Sequence, residues 1–405
     1  MIFGLLPRRL PRLRSITCLL LLLTPNLQAG TLEQAKRMHD RLTGVPPSEA
    51  VLKAMAHKLD AGSGIEAAQI AMQNDAFYRV TLKNWVAPWT NRDQNVFVPL
   101  NDYIATLMGL ALTNADFRTV LSANVVFVAK GVSPAYSPNN NAHYEALENS
   151  QLRYQDVLDP QSQSALNGLP PESAAGVMTS RAAAKAFFIN GTNRAQLRFT
   201  LKNFLCNDLE QLHDLTRVPD RIRQDVSRSP GGDARLFLNG CLGCHSGMDP
   251  LAQAFAYYDF SHDAANDLTG ENGKMAYNGP GILDPKTGSR VHAKYQINSA
   301  TFPFGYITTN DHWDNYWRQG VNQHLGWAPQ GGSGDGAASL GMELANSDAF
   351  AQCQATKVFK AVCLQDPADK GDRDQITAMV QLFQAGNSYR LKDLFASAAV
   401  YCKGD

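Results

Sequence analysis

The sequence predicts a mainly α-helical protein built of many helices, with little β structure. Two observations carry this. Apolar residues recur at helical spacing, as in Leu100, Ile104, Leu107 and Ala111, and again in Leu197, Leu201, Phe204, Leu205, Leu209 and Leu212. Residues that start and stop helices stand where those stripes begin and end, such as Ser48 ahead of Val51 and Gly386 after Phe383.

Taken in order, residues 1–29 read as a secretory signal. Arg8, Arg9, Arg12 and Arg14 precede a short apolar run from Ile16 to Leu23, and Ala29 offers a cut site. The run is too short to cross a bilayer comfortably, and no later stretch is long enough for a span. Removing four arginines and no acid leaves 33 basic against 37 acidic residues, a mildly acidic chain without a basic stripe, which argues against nucleic acid as a partner. The expected destination is the periplasm or the exterior.

Residues 30–130 are expected to form an N-terminal helical domain. Ala35 to Leu42 makes one helix, Ser48 caps a second, and a third runs from about Ile65 to Trp85, where Pro88 ends it. Two more are expected within 97–128. Residues 131–192 are rich in Pro, Asn, Ser and Gln in their first part and read as a loop-rich connection. Asn193 to about Leu212 is the clearest helix, with Asn193 and Gln196 patterned as a capping box. The C-terminal unit, 346–405, is expected to hold helices opening at Ser347-Asp348, running from Asp374 to Gln384, and running from Leu391 to Tyr401.

Between these lies the chemistry. Cys241-Leu242-Gly243-Cys244-His245 has the CxxCH spacing of covalent haem c attachment. Two thiols three apart on a helical turn can add to the two vinyl groups of one porphyrin. The adjacent His245 can then offer its imidazole to the iron. A structural zinc site would need a second CxxC-type pair, and a thioredoxin-like pair would need a βαβ setting; the chain offers neither. Residues 193–345 are therefore expected to be the haem-binding domain, with one covalent haem.

The remaining cysteines of the processed chain are Cys206, Cys353, Cys363 and Cys402, an even set suited to two disulfides in an oxidising compartment. Cys353 and Cys363 share one expected helix, about 15 Å apart along it, and should not pair with each other.

Asp233 to Asn239, with Phe237 four residues before Cys241, resembles the first helix of class I cytochromes c. Downstream, Met248-Asp249-Pro250-Leu251 and the aromatic run to Phe260 complete a CxxCHxxMDPL pattern. The pattern resembles that of exported bacterial cytochrome c-like proteins of planctomycetes and proteobacteria, and the resemblance implies haem binding and no further activity. Gly279-Pro280-Gly281-Ile282-Leu283 is similar to the loop whose proline carbonyl orients the proximal histidine in class I cytochromes. For the distal side, Met248 lies too close to His245 to reach the other face of a porphyrin. Met275 is the first candidate and Met342 the second, with His292, His312 and His324 behind them. The aromatic segment 302–327 offers a wall around a haem, a sugar platform or an ordinary core. Three functions fit: electron transfer to a redox partner protein, a peroxidase- or oxidase-like haem enzyme, or a structural or binding module of an exported complex.

Overall fold

A computed structural model describes residues 30–189, 192–227 and 233–404; the signal-like segment 1–29 lies outside the described residues. Helices dominate, and the strands among the described residues form three short antiparallel pairs. These are Val126–Ala129 with Leu158–Gln161, Tyr258–Ser261 with Lys274–Tyr277, and His312–Asp314 with Ser333–Asp335. No described helix is long and apolar enough to cross a membrane.

One apolar cluster gathers side chains from every part of the chain, from Ala35 through Phe117, Leu197, Trp317 and Phe350 to Ala399. The N-terminal helices Thr31–Thr43 and Gly64–Ala71 pack on the C-terminal helix Leu391–Tyr401, and Glu49–Asp60 packs on those two N-terminal helices. Phe77 meets Phe395 edge to face at 5.2 Å. The first and last described helices are thus held together, and the CxxCH segment is built onto the body they form.

Local signals explain many boundaries. Ser48 accepts a hydrogen bond from the Val51 amide, Ser347 from Phe350, and Asp369 from Asp372, each satisfying a free donor of a first helical turn. Four expectations are corrected. The third N-terminal helix is not continuous: after Ala71 comes a turn, a π-helical stretch Phe77–Leu82, a short α-turn Lys83–Val86 and a 3-10 turn Ala87–Thr90. Segment 97–128 holds one α-helix, Asp102–Leu112, a 3-10 turn Phe117–Leu121 and a strand.

Segment 131–192 is folded rather than loop-like. It contains helices Ala142–Glu148 and Arg181–Phe188, and buries Tyr144, Leu147 and Tyr154. Hydrogen bonds stitch it down: Arg79 donates to the main-chain carbonyls of Glu148, Ser150 and Leu152, and the Asn141 side chain to that of Leu100. Composition alone could not show that these groups have partners.

The expected Asn193–Leu212 helix is Arg194–Phe204. Asn193 makes no cap; its amide donates to the Phe255 and Tyr258 carbonyls, both at 2.6 Å, fastening the helix start to the segment after the haem motif. The helix ends early because Cys206 takes a left-handed φ of 55° and bonds to Cys353. Cys363 bonds to Cys402. Cys353 and Cys363 do share the helix Asp348–Cys363 and do not pair with each other.

Candidate functional site

Asp233 caps the helix Ala234–Gly240 through the Arg235 amide. The chain bends at Cys241 and continues as Leu242–Ala252. Backbone bonds bridge the bend, Cys241 to the Phe237 carbonyl at 2.9 Å and His245 to the Cys241 carbonyl at 3.1 Å. Phe237, Cys241, His245 and Asp249 therefore follow one another at intervals of four, the spacing that places side chains along one helical face. The Phe237 and His245 rings lie 5.9 Å apart.

Cys241 and Cys244 are free thiols, both half-buried. The Cys244 thiol donates to the Leu209 carbonyl at 3.3 Å. Burial, with Glu210 adding repulsion, raises its pKa, so it rests as a thiol. Cys241 and Leu242 border a small apolar cluster of Ile222, Val226 and Phe237, separate from the main core. Leu236 and Leu238, on the same short helix as Phe237, are 56% and 50% exposed.

His245 is oriented from behind. Its Nδ1 lies 3.2 Å from both carboxylate oxygens of Asp249. With Nδ1–H donating there, Nε2 is the nitrogen left to act as a ligand. Asp249 is fully buried and is gripped by Arg194, Nε to Oδ1 at 2.6 Å and Nη2 to Oδ2 at 3.1 Å. Arg194 also takes both oxygens of the buried Asp225 at 2.7 Å. Arg223 completes the group, 3.1 Å from Asp225 and with its guanidinium 4.0 Å above the Tyr295 ring. Two cations face two anions, so the buried cluster is neutral when His245 is neutral. Burial alone would push the Asp249 carboxyl up, but Arg194 and His245 outweigh it and hold it far below the ordinary carboxylate range.

The opposite side of the Leu242–Ala252 helix is pressed by two rings. A Cβ on Gly243 would lie 2.3 Å from His213 Nε2, and one on Gly247 would lie 2.0 Å from Trp317 Nε1. In an isolated helix Gly→Ala is worth about 1 kcal/mol of stability. At Gly247 the sign should reverse: Gly247→Ala is expected to lower stability by about 1–3 kcal/mol in urea unfolding, because the buried Trp317 has nowhere to move. An unchanged or raised midpoint would show that this packing is loose.

The sequence candidates land unevenly. Cys241 stands at the N-terminal cap of the helix Leu242–Ala252, which carries Cys244 and His245 in its first turns. Met248 is buried in the core. Met275 is also a core side chain, cross-strand from Phe260 on a strand that packs against Arg181–Phe188. The elements packed on the motif helix include Arg194–Phe204, Ala234–Gly240, His312–Asp314 and Tyr316–Arg318. Met342 is 52% exposed. His292 approaches Asp259 and Asp284, and His312 binds Asp335. Residues 279–283 are largely exposed, and Asp249, not a proline carbonyl, partners His245. From the aromatic segment, Trp313 and Trp317 are buried beside the motif helix while Phe304 is 90% exposed. The residues that sequence reading missed are Asp249, Arg194, Asp225 and Arg223. The four-residue spacing of His245 and Asp249 was a visible signal for the first; nothing in the sequence links it to Arg194, 55 positions away.

No known family, curated protein or solved structure matches this chain.

The donor set must therefore be weighed on its own chemistry. Among the described residues, no group of three or more His, Cys, Asp or Glu is placed to hold a bare metal ion. A haem iron needs only one such side chain, since the porphyrin supplies four nitrogens. Two free thiols, an imidazole fixed through Nδ1, and an apolar cluster bordered by Cys241 fit that group.

Proposed function

We propose that this chain is an exported c-type cytochrome-like protein that carries one covalent haem and exchanges electrons with a redox partner protein. Cys241 and Cys244 would hold the haem by thioether links and His245 would be the proximal ligand through Nε2. The observation that carries the reading is the pair of unbonded thiols beside an oriented imidazole, in a chain whose other described cysteines are all in disulfides. Both disulfides suit an oxidising compartment. When bound, the haem supplies a one-electron couple.

The chain's own residues do the rest. Asp249 accepts the Nδ1 proton bond and fixes the imidazole plane. Arg194 holds Asp249 from the far side. Phe237, Ile222 and Val226 give Cys241 an apolar border. One observation favours a second reading, a haem enzyme of peroxidase or oxidase type: a carboxylate on Nδ1 makes an imidazole a stronger donor, which favours oxidised iron.

The visible spectrum separates the two. A low-spin reduced α-band that carbon monoxide and peroxide leave unchanged is the expected result. A high-spin ferric spectrum with peroxide-driven changes would overturn electron transfer in favour of the enzyme. Asp249→Asn should raise the midpoint potential by roughly 60–120 mV, the one-electron equivalent of one to two factors of ten. An unmoved potential would remove the role given to Asp249.

A further inference from the structure

Far from the haem motif in sequence, the π-helical stretch Phe77–Leu82 contributes Val80 and Thr81 to a cavity of about 690 Å³. π-Helical turns are rare and gather at functional sites. The volume is that of a small-molecule site. Trp85 and Trp89 line it with their indoles 4.7 Å apart, and the 73% exposed Leu364 stands at its rim.

Three cations share the cavity: Arg41, Lys357 and Lys360. Lys360 is paired with Asp366. Arg41 and Lys357 form no ion pair among the described residues; Arg41 reaches the Cys363 carbonyl at 3.4 Å and Lys357 the Asn203 carbonyl at 2.6 Å. The Lys357 ammonium lies 4.1 Å from the Trp89 ring centre. Asp40 is the carboxylate in the lining, and Lys36 holds one of its oxygens at 2.5 Å. Positive charge is thus in excess beside an aromatic wall. Burial, with Lys202 and Lys360 adding repulsion, brings the Lys357 pKa down to about 7, a measure of how poorly the charge is matched.

We propose that this cavity is a binding site for a small aromatic carboxylate, its anion between Arg41 and Lys357 and its ring against Trp85. Charge-assisted bonds to two cations would supply affinity, and the indole a flat apolar face. The site is independent of the haem reading and uses none of its residues.

Calorimetric titration of the mature protein with 2-naphthoate tests this, with 2-naphthamide as the uncharged analogue and cyclohexanecarboxylate as the non-aromatic one. Saturable one-to-one binding of 2-naphthoate is expected, with both analogues about tenfold weaker or more. Arg41→Gln and Lys357→Met should each weaken binding about tenfold, and Trp85→Leu by several-fold. Lys357→Met also removes a bond to the end of a neighbouring helix; Arg41→Gln, at the cavity edge, stays informative if that variant does not fold. No saturable binding at millimolar 2-naphthoate would overturn the proposal. So would equal affinity for the amide, or wild-type binding by Arg41→Gln.

Discussion

Arg194→Met should lower the unfolding free energy by about 3–5 kcal/mol, measured by urea denaturation, and should leave the variant short of folded material at elevated temperature. Arg194 is the shared partner of two carboxylates, Asp225 and Asp249, whose side chains are fully buried. Removing it leaves Asp225 with the Arg223 side chain and Asp249 with the His245 side chain, in a medium that solvates charge poorly. The cost arises from buried acids left short of partners rather than from the lost attraction, so a triple variant with both acids replaced by Asn should recover part of it. Arg194→Lys should rescue little, because an ammonium cannot reproduce two forked contacts at once. A loss under 1 kcal/mol would mean that water reaches the cluster and screens it.

The second large effect is at the other end of the same helix. Converting Cys206 and Cys353 together to Ala should cost up to about 5 kcal/mol, since the bond closes a loop of 147 positions. The Cys363–Cys402 bond spans 39 positions and should be worth about 1 kcal/mol less on the same loop-entropy argument. The first bond also fixes the point where the Arg194–Phe204 helix ends and the chain turns towards the haem motif. Its removal should therefore loosen Arg194 and Asp249, seen as faster proteolysis around 205–245. Equal losses from the two double variants, or a larger loss from the 39-position bond, would contradict that ranking.

How much of this was legible in the sequence depends on the range of the interaction involved. Caps act within a turn, so Ser48 and Ser347 announced their helices, and the Leu391–Tyr401 helix falls where the periodicity places it. The CxxCH segment is equally local. Asn193 misled, because its amide serves carbonyls more than 60 positions away instead of its own helix. Segment 131–192 misled for a similar reason: its main-chain carbonyls are taken by Arg79, and Asn141, which read as loop, ties it to Leu100. At the site, Asp249 was within reach of a helical-spacing argument, whereas Arg194, Asp225 and Arg223 meet it only through the tertiary fold. Met275 looked like a ligand because of its distance along the chain; the strand it occupies gives it a core role.

The central claim is that Cys241 and Cys244 bind haem covalently, and intact-mass measurement on the denatured protein tests it most directly. The full chain from Met1 should be expressed in a host that matures c-type cytochromes. The account predicts a mass equal to the processed chain plus one haem, with the haem retained after denaturation, and the bare chain mass for the Cys241→Ser, Cys244→Ser double variant. A wild-type protein at the bare mass, or a double variant that still carries covalent haem, would contradict it.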